Sequence, residues 1–485
     1  MHRRGVERVA FQLDAGWNEK ARRPADIPLS SDGTRLAYGP RESPRFVAAR
    51  TSLLVPSSKP LPAPPVVGGG LVTSNAPPLV LPGEHFAAAF TFFAVGALSL
   101  TIIAPELAAG TFVATRVAAV VHLFTLGFIS TSIFGALYQF LPVAVGMPIR
   151  SQRLAHVTFV VLMLGIVAFV VGLAAEIPRL VPMGGALVAT AFALFAANLV
   201  ATLRSARERS LTYWALAGAA LYLVVTLGFG FALALNVATG FATAHRFDLL
   251  VSHIHVAVFG WVMLVMVGVG HRLLPMFLLS SHDATEVPAW IAVGALVVGC
   301  ALVALPLGGV ARLAGFGVSA VGVVAFLVQA ALFYRHRKKK GDLDPGMRLA
   351  LAGLFGVGAA LLLAPLAVLR GLEDVTMLTT YVFVLVVGGI SLFVAGHYFK
   401  IVPFLVWYHR FGSKIGKGKL PRVVDLYSSK LATAALAGLA LGVATTAAGI
   451  LAKSVHLTRA GALVLLAGVL IEAREMIRVA RVKAT

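Results

Sequence analysis

Cysteine is nearly absent from the chain: Cys300 is the single one among 485 residues, and it lies within an apolar run. A disulfide framework, a zinc ribbon and a thiolate-held iron–sulfur cluster are thereby excluded, so any redox centre must rest on histidine. Charge is scarce as well, at 13% of residues, and acidic residues are the scarcer kind, 20 against 41 Lys and Arg. The apolar segments hold almost no Asp or Glu, which argues against a proton- or cation-coupled transporter built on buried carboxylates. No secretory h-region precedes the first apolar run. Residues 1–82 are polar and rich in Arg and Pro, and read as a flexible basic cytoplasmic extension that ends in a Pro/Gly-rich linker from Ser57 to Pro82.

What the chain has in abundance is apolar length. Hydrophobic residues make up 59% of it, and a mean hydropathy of +0.89 exceeds what a water-soluble domain can hide. Runs of about twenty apolar residues each span a bilayer as a helix. Such windows fall at roughly 84–108, 114–143, 154–175, 179–203, 212–237, 249–277, 287–306, 311–334, 347–369, 376–407, 429–452 and 457–480. The expected fold is an all-α polytopic membrane domain over 83–485, with twelve transmembrane helices and a lipid bilayer as its first partner.

The net charge of +21 would suggest nucleic acid in a soluble chain. Here it follows topology. With the N-terminus inside, 34 of the 41 Lys and Arg fall on one side, including Arg204 to Arg209, Arg335 to Lys340 and the stretch from Lys400 to Lys430. The positive-inside rule then sets both termini in the cytoplasm of a multi-pass inner-membrane protein, and no nucleic acid is needed. Loops on the opposite side, such as Glu176 to Arg179, are short, so no outer domain captures a bulky ligand.

Three segments share a pattern. Segment 2 contains Gly135-Ala-Leu-Tyr-Gln-Phe-Leu-Pro142, segment 6 Gly268-Val-Gly-His-Arg-Leu-Leu-Pro275, and segment 10 Gly396-His-Tyr-Phe-Lys-Ile-Val-Pro403. Upstream of these lie Gly127, Gly260 and Gly388 at one common offset, and His122, His255 and Phe383 at another. Glycine and proline are frequent in membrane helices, but one spacing recurring every four segments reads as three pseudo-symmetric four-helix units.

Histidine marks the start of segments 2 and 6: His122 on the first, His253 and His255 on the second, roughly a third of the way into the bilayer at about 1.5 Å per residue. A neutral imidazole there needs partners for both nitrogens. Metal or haem iron satisfies one and a backbone carbonyl the other; hydrogen bonds to Ser, Thr or backbone between helices are the plainer alternative. Residues i and i+2 on a helix point about 200° apart, so His253 and His255 serve different grooves and do not share one ion. A second set, His85, His156, His271 and His397, falls near the inner face as candidate metal ligands, where helix-end imidazoles also reach headgroup water. Thr125, Ser130, Thr131, Ser132 and Tyr138 add a polar line along segment 2.

Twelve helices in three arcs, with histidines on segments 2 and 6, resemble subunit I of the haem-copper oxidase superfamily, which includes cytochrome oxidases and the large subunit of nitric oxide reductase. His253-Ile-His255 with Gly260-Trp261-Val262 looks like that family's haem-ligating His-x-His helix. The resemblance implies haem on His122, in the family's low-spin haem slot, and copper on His255, with His122 and His255 together as the candidate copper ligands. The family's own His-x-His belongs on segment 10, where this chain has Tyr381 and Phe383, and Val287 to Gly308 lacks the family's histidine pair. Rotating the ligand scheme by one repeat puts the haem between segments 2 and 6, ligated by His122 and His253 or His255.

Three functions follow as expectations. The first is respiratory-type electron transfer or oxygen or nitric oxide chemistry, with a cytochrome c or quinol donor and additional membrane subunits as partners. The second is a non-catalytic haem- or copper-binding sensor, assembly or nitric oxide protection protein. The third is a small-molecule transporter.

Overall fold

The computed structural model describes residues 77–206, 208–280, 285–338, 341–370, 375–416 and 419–483. The extension expected at 1–82 lies outside these as far as residue 76. Among the described residues there is no β-strand, only an isolated bridge between Ser280 and Arg337.

Eleven described helices are long and apolar enough to cross a membrane: α1 (Val80–Ile102), α2 (Thr115–Ala144), α3 (Gln152–Ala174), α4 (Leu180–Leu203), α5 (Leu211–Thr239), α6 (Thr243–Leu278), α7 (Val287–Ala304), α8 (Gly309–Arg335), α9 (Pro345–Arg370), α10 (Val375–Lys414) and α11 (Ser429–Leu451). The chain is a polytopic all-helical membrane protein. A further helix, α12 (Val455–Ala480), occupies the place of the twelfth expected segment and contains Arg459, Glu472, Arg474, Glu475 and Arg478.

The helices carry apolar residues on both sides, as lipid demands. On α3, Val157, Val160, Leu164 and Val171 are exposed while Leu162, Ile166 and Leu173 are buried. α2, α6 and α10 are the most deeply enclosed, each with about 70% of its most apolar stretch inside the protein.

Two local devices position the helices. Adjacent helices α3–α4, α7–α8 and α11–α12 pack as hairpins in which glycines bring the backbones together. A Cβ on Gly165 would come 2.7 Å from Val188 N, one on Gly315 2.8 Å from Gly299 O, and one on Gly468 2.6 Å from Leu439 N. In membranes, where helix association relies on close packing, such small-residue seams stand in for hydrophobic driving force.

The second device is a π-helical stretch inside each enclosed helix: Leu123–Ser130 in α2, Val256–Met263 in α6 and Val384–Ser391 in α10, eight residues apiece. Each begins directly after His122, His255 and Phe383, the positions singled out by the sequence pattern, and each contains the corresponding Gly127, Gly260 or Gly388. A π-turn inserts a residue without breaking the helix and re-aims the side chains on either side of it. Hydroxyls satisfy carbonyls it leaves poorly paired: Thr131 donates to Leu126 O at 2.9 Å and Ser391 to Val386 O at 2.8 Å, both five residues back.

The hairpin seams make a direct prediction. A side chain on Gly184 would run into the backbone of Phe169, whereas Gly317 has nothing within 4 Å. Gly184→Val is expected to destabilise the protein by about 1–3 kcal/mol through overpacking, and Gly317→Ala, inside a helix with room for the methyl, to leave it as stable or slightly more so. Thermal unfolding of the detergent-solubilised variants checks both; equal melting temperatures would refute the seam.

Candidate functional site

Two cavities lie along the enclosed helices. The first, about 290 Å³, is bounded by the N-terminal halves of α2 and α6 together with α3, α4 and α5, and His122 and His253 both line it. The second, about 350 Å³, lies among the C-terminal halves of α2, α6 and α10, and His397 lines it.

In the first cavity the two imidazoles face a common space. Their ring centroids are 6.4 Å apart and their planes within 26° of parallel. His122 Nδ1 lies 2.7 Å from Ala118 O. A carbonyl only accepts, so Nδ1 is the protonated nitrogen and Nε2 keeps its lone pair. The ring rests edge-on against Phe169, 5.0 Å between centroids. His253 Nδ1 is buried with no hydrogen-bond partner. Gly230 on α5 makes room for its ring, since a Cβ there would stand 2.9 Å from His253 Cε1. Thr115, Thr125, Ser130, Thr226, Asn236 and Arg246 supply the rest of its polar lining.

His255 is not brought to this pair. Its ring lies on Phe316 of α8 at 4.3 Å between centroids, and its Nδ1 stands 3.3 Å from Val251 O. The i, i+2 spacing thus does what helical geometry requires, sending His253 towards α2 and His255 towards α8.

The four histidines expected near the other end are scattered. His85 is buried, with Nδ1 2.8 Å from Leu81 O and Nε2 without a partner, its ring 4.8 Å from that of Phe159. His156 pairs with Glu84 at 2.7 Å and His271 with Glu286 at 3.2 Å. His397 bonds Phe393 O through Nδ1 at 2.8 Å. Among the described residues no group of three or more His, Cys, Asp and Glu could hold a metal ion. The Nδ1-to-carbonyl bond is no ligand signature by itself, because the exposed His336 makes the same bond to Leu332 O. What separates His122 is the cavity in front of its other nitrogen and the second imidazole within it.

The residues that divide the two cavities had only partly been marked by the sequence. Ser132 donates to Phe128 O at 2.6 Å, and so accepts the Tyr398 hydroxyl at 2.7 Å. Two residues earlier on α2, Ser130 lies 3.4 Å from Trp261 Nε1. Trp261 is 2% exposed and packs on Phe134 and Phe195. The polar line along α2 pointed to the serines; their partners on α6 and α10 are far away in the chain. No protein-family model matches the chain, and no curated protein matches it.

The Ser132–Tyr398 bond joins α2 to α10 at the floor between the cavities. Tyr398→Phe should cost about 0.5–1.5 kcal/mol, and Ser132→Ala should add little once Tyr398 is gone. A double-mutant cycle on unfolding free energy reads the coupling; fully additive effects would show that the bond contributes nothing.

Proposed function

We propose that the chain is a haem-binding membrane protein, with His122 and His253 as the two axial ligands in the cavity between α2 and α6. The spacing of the imidazoles carries the reading. Two imidazoles on one metal, each with a bond of about 2 Å, have ring centroids about 6 Å apart, and these stand at 6.4 Å. The buried partnerless nitrogen of His253 and the cavity of about 290 Å³, lined chiefly by apolar side chains, fit an apolar macrocycle with a metal at its centre.

Around that site, the proposed architecture is twelve membrane helices in three four-helix units. Each unit would hold one plain helix, one helix with a π-stretch and one glycine-seamed hairpin, in the order α1–α4, α5–α8 and α9–α12. The recurrence of the π-stretch supports this: each starts at the same offset before Gly135, Gly268 and Gly396. The scheme resembles subunit I of the haem-copper oxidases with its ligands displaced by one repeat. The basic loops favour cytoplasmic termini in an inner membrane, which sets the histidine cavity towards the outer face.

Haem supplies one-electron redox chemistry and binding of small uncharged gases. The chain's own residues do the rest. Ala118 O holds His122 in the tautomer that presents Nε2, Gly230 admits the His253 ring, and Phe169, Phe192 and Trp261 keep water from the space between. The function would be respiratory-type electron transfer or oxygen or nitric oxide chemistry, with a cytochrome c or quinol as donor; a gas sensor or nitric oxide sink is the non-catalytic version. Copper is left out of this reading because His255, its expected ligand beside His122, faces α8 instead.

Purified protein expressed with ample haem should show a Soret band that shifts on reduction. His122→Ala and His253→Ala should each abolish the six-coordinate spectrum, His255→Ala should keep it, and His253→Met should keep haem at a raised potential. Colourless wild-type protein, or a spectrum lost only with His255, would sink the proposal.

A further inference from the structure

The second cavity is the larger, and the haem reading makes no use of it. It runs along α2 from Ser132 to Val143, about 16 Å at 1.5 Å per residue, a slot rather than a sphere. Its walls are mostly aliphatic and aromatic. Polar side chains come from Ser132, Gln139, Arg272, His397, Tyr398 and Tyr408, and no Asp or Glu is among the described residues that line it. Arg272 is exposed, so the enclosed part of the slot holds neutral groups only.

The hydrogen bonds already made fix what those neutral groups still lack. His397, 7% exposed, commits its Nδ1 proton to Phe393 O, so Nε2 carries a lone pair and no proton. Gln139, 9% exposed, has its Oε1 buried without a donor. The Tyr398 hydroxyl gives its proton to Ser132, whose own proton lies on Phe128 O, so lone pairs are all that Tyr398 has left. Three side chains from α2 and α10 therefore accept, and leaving a buried acceptor unmatched costs about 1–3 kcal/mol.

That shortage of donors selects among amphiphiles. A carboxylate has no proton to give. An ammonium has protons but no counter-ion, since no acidic residue lines the slot and Arg272 does. Water serves the acceptors but not the apolar length. A neutral hydroxyl on a hydrocarbon chain answers both, and its oxygen also takes a bond from the Gln139 amide N–H.

We propose that the cavity among α2, α6 and α10 binds a neutral hydroxyl-headed lipid, a long-chain alcohol, whose O–H is shared between the acceptors His397 Nε2 and Gln139 Oε1 and whose chain lies along the apolar wall. Hydrogen-bond complementarity selects the head, and the narrow slot selects the tail. The site is separate from the His122–His253 cavity, so it stands or falls independently of the haem reading.

Full-length protein in nanodiscs of a neutral phospholipid, photolabelled with dodecanol that carries a mid-chain diazirine, tests this. Peptide mapping should place the label on α2, α6 and α10. At equal mole fraction in the bilayer, unlabelled dodecanol should protect about tenfold better than dodecyl methyl ether, laurate or dodecylamine. Gln139→Leu and His397→Phe should each weaken protection by the alcohol and leave that by the ether unchanged, so that in the double variant the two protect within about twofold of each other. A misfolded variant would lose the label altogether instead of losing this preference. Arg272→Gln should change nothing. Equal protection by alcohol and ether in the wild type, a preference that survives in the double variant, or protection by laurate that depends on Arg272 would overturn the proposal whatever the visible spectrum shows.

Discussion

In hydrocarbon no water completes a broken ladder, so each backbone N–H and C=O must find its partner within the protein. The three enclosed helices depart from ideal α-geometry within that constraint. Their π-stretches add a residue each and keep the chain hydrogen-bonded, with Thr131 and Ser391 reaching back five residues to carbonyls of the bulge. A glycine at the middle of each stretch admits a neighbour: a Cβ on Gly127 would meet Phe92 and one on Gly260 would meet Tyr222. Helix register, the direction of the histidines and the closeness of neighbouring helices all descend from this one accommodation.

The cavities follow from it. Before the π-stretches, α2 and α6 present His122 and His253 to one space; after them, the same helices and α10 diverge around a second. Between lie Ser130, Ser132, Trp261 and Tyr398, whose contacts tie three helices together at mid-length. The upper site holds two imidazoles, hydroxyls and an arginine, Arg246. The lower one is lined mainly by aliphatic and aromatic side chains, with Gln139, His397 and the bonded Ser132 and Tyr398 among its few polar groups. Their chemistry differs although the same helices build both.

Much of the fold was legible in the chain. Apolar length located the spans within a few residues, since lipid leaves a helix no alternative to about twenty apolar residues. The Gly–Gly–Pro spacing singled out α2, α6 and α10, the three helices that hold a π-stretch, although it could not show that a π-turn occupied the shared interval, because glycine serves ordinary helix packing equally well. The second cavity was invisible. Gln139, Arg272 and His397 lie on three helices more than a hundred residues apart in the chain, and their place around one cavity depends on how those helices lean against one another.

The sequence by itself determined that the chain belongs in a membrane, that any redox centre would have to rest on histidine, and that His253 and His255 point to different sides of their helix, because composition and the 100° step of a helix are local facts. Only the tertiary structure decided which of the two meets His122. Gly230 on α5 leaves space for the His253 ring, while Phe316 on α8 takes up that of His255. That choice rests on side chains brought from distant helices, and no periodicity along α6 encodes it.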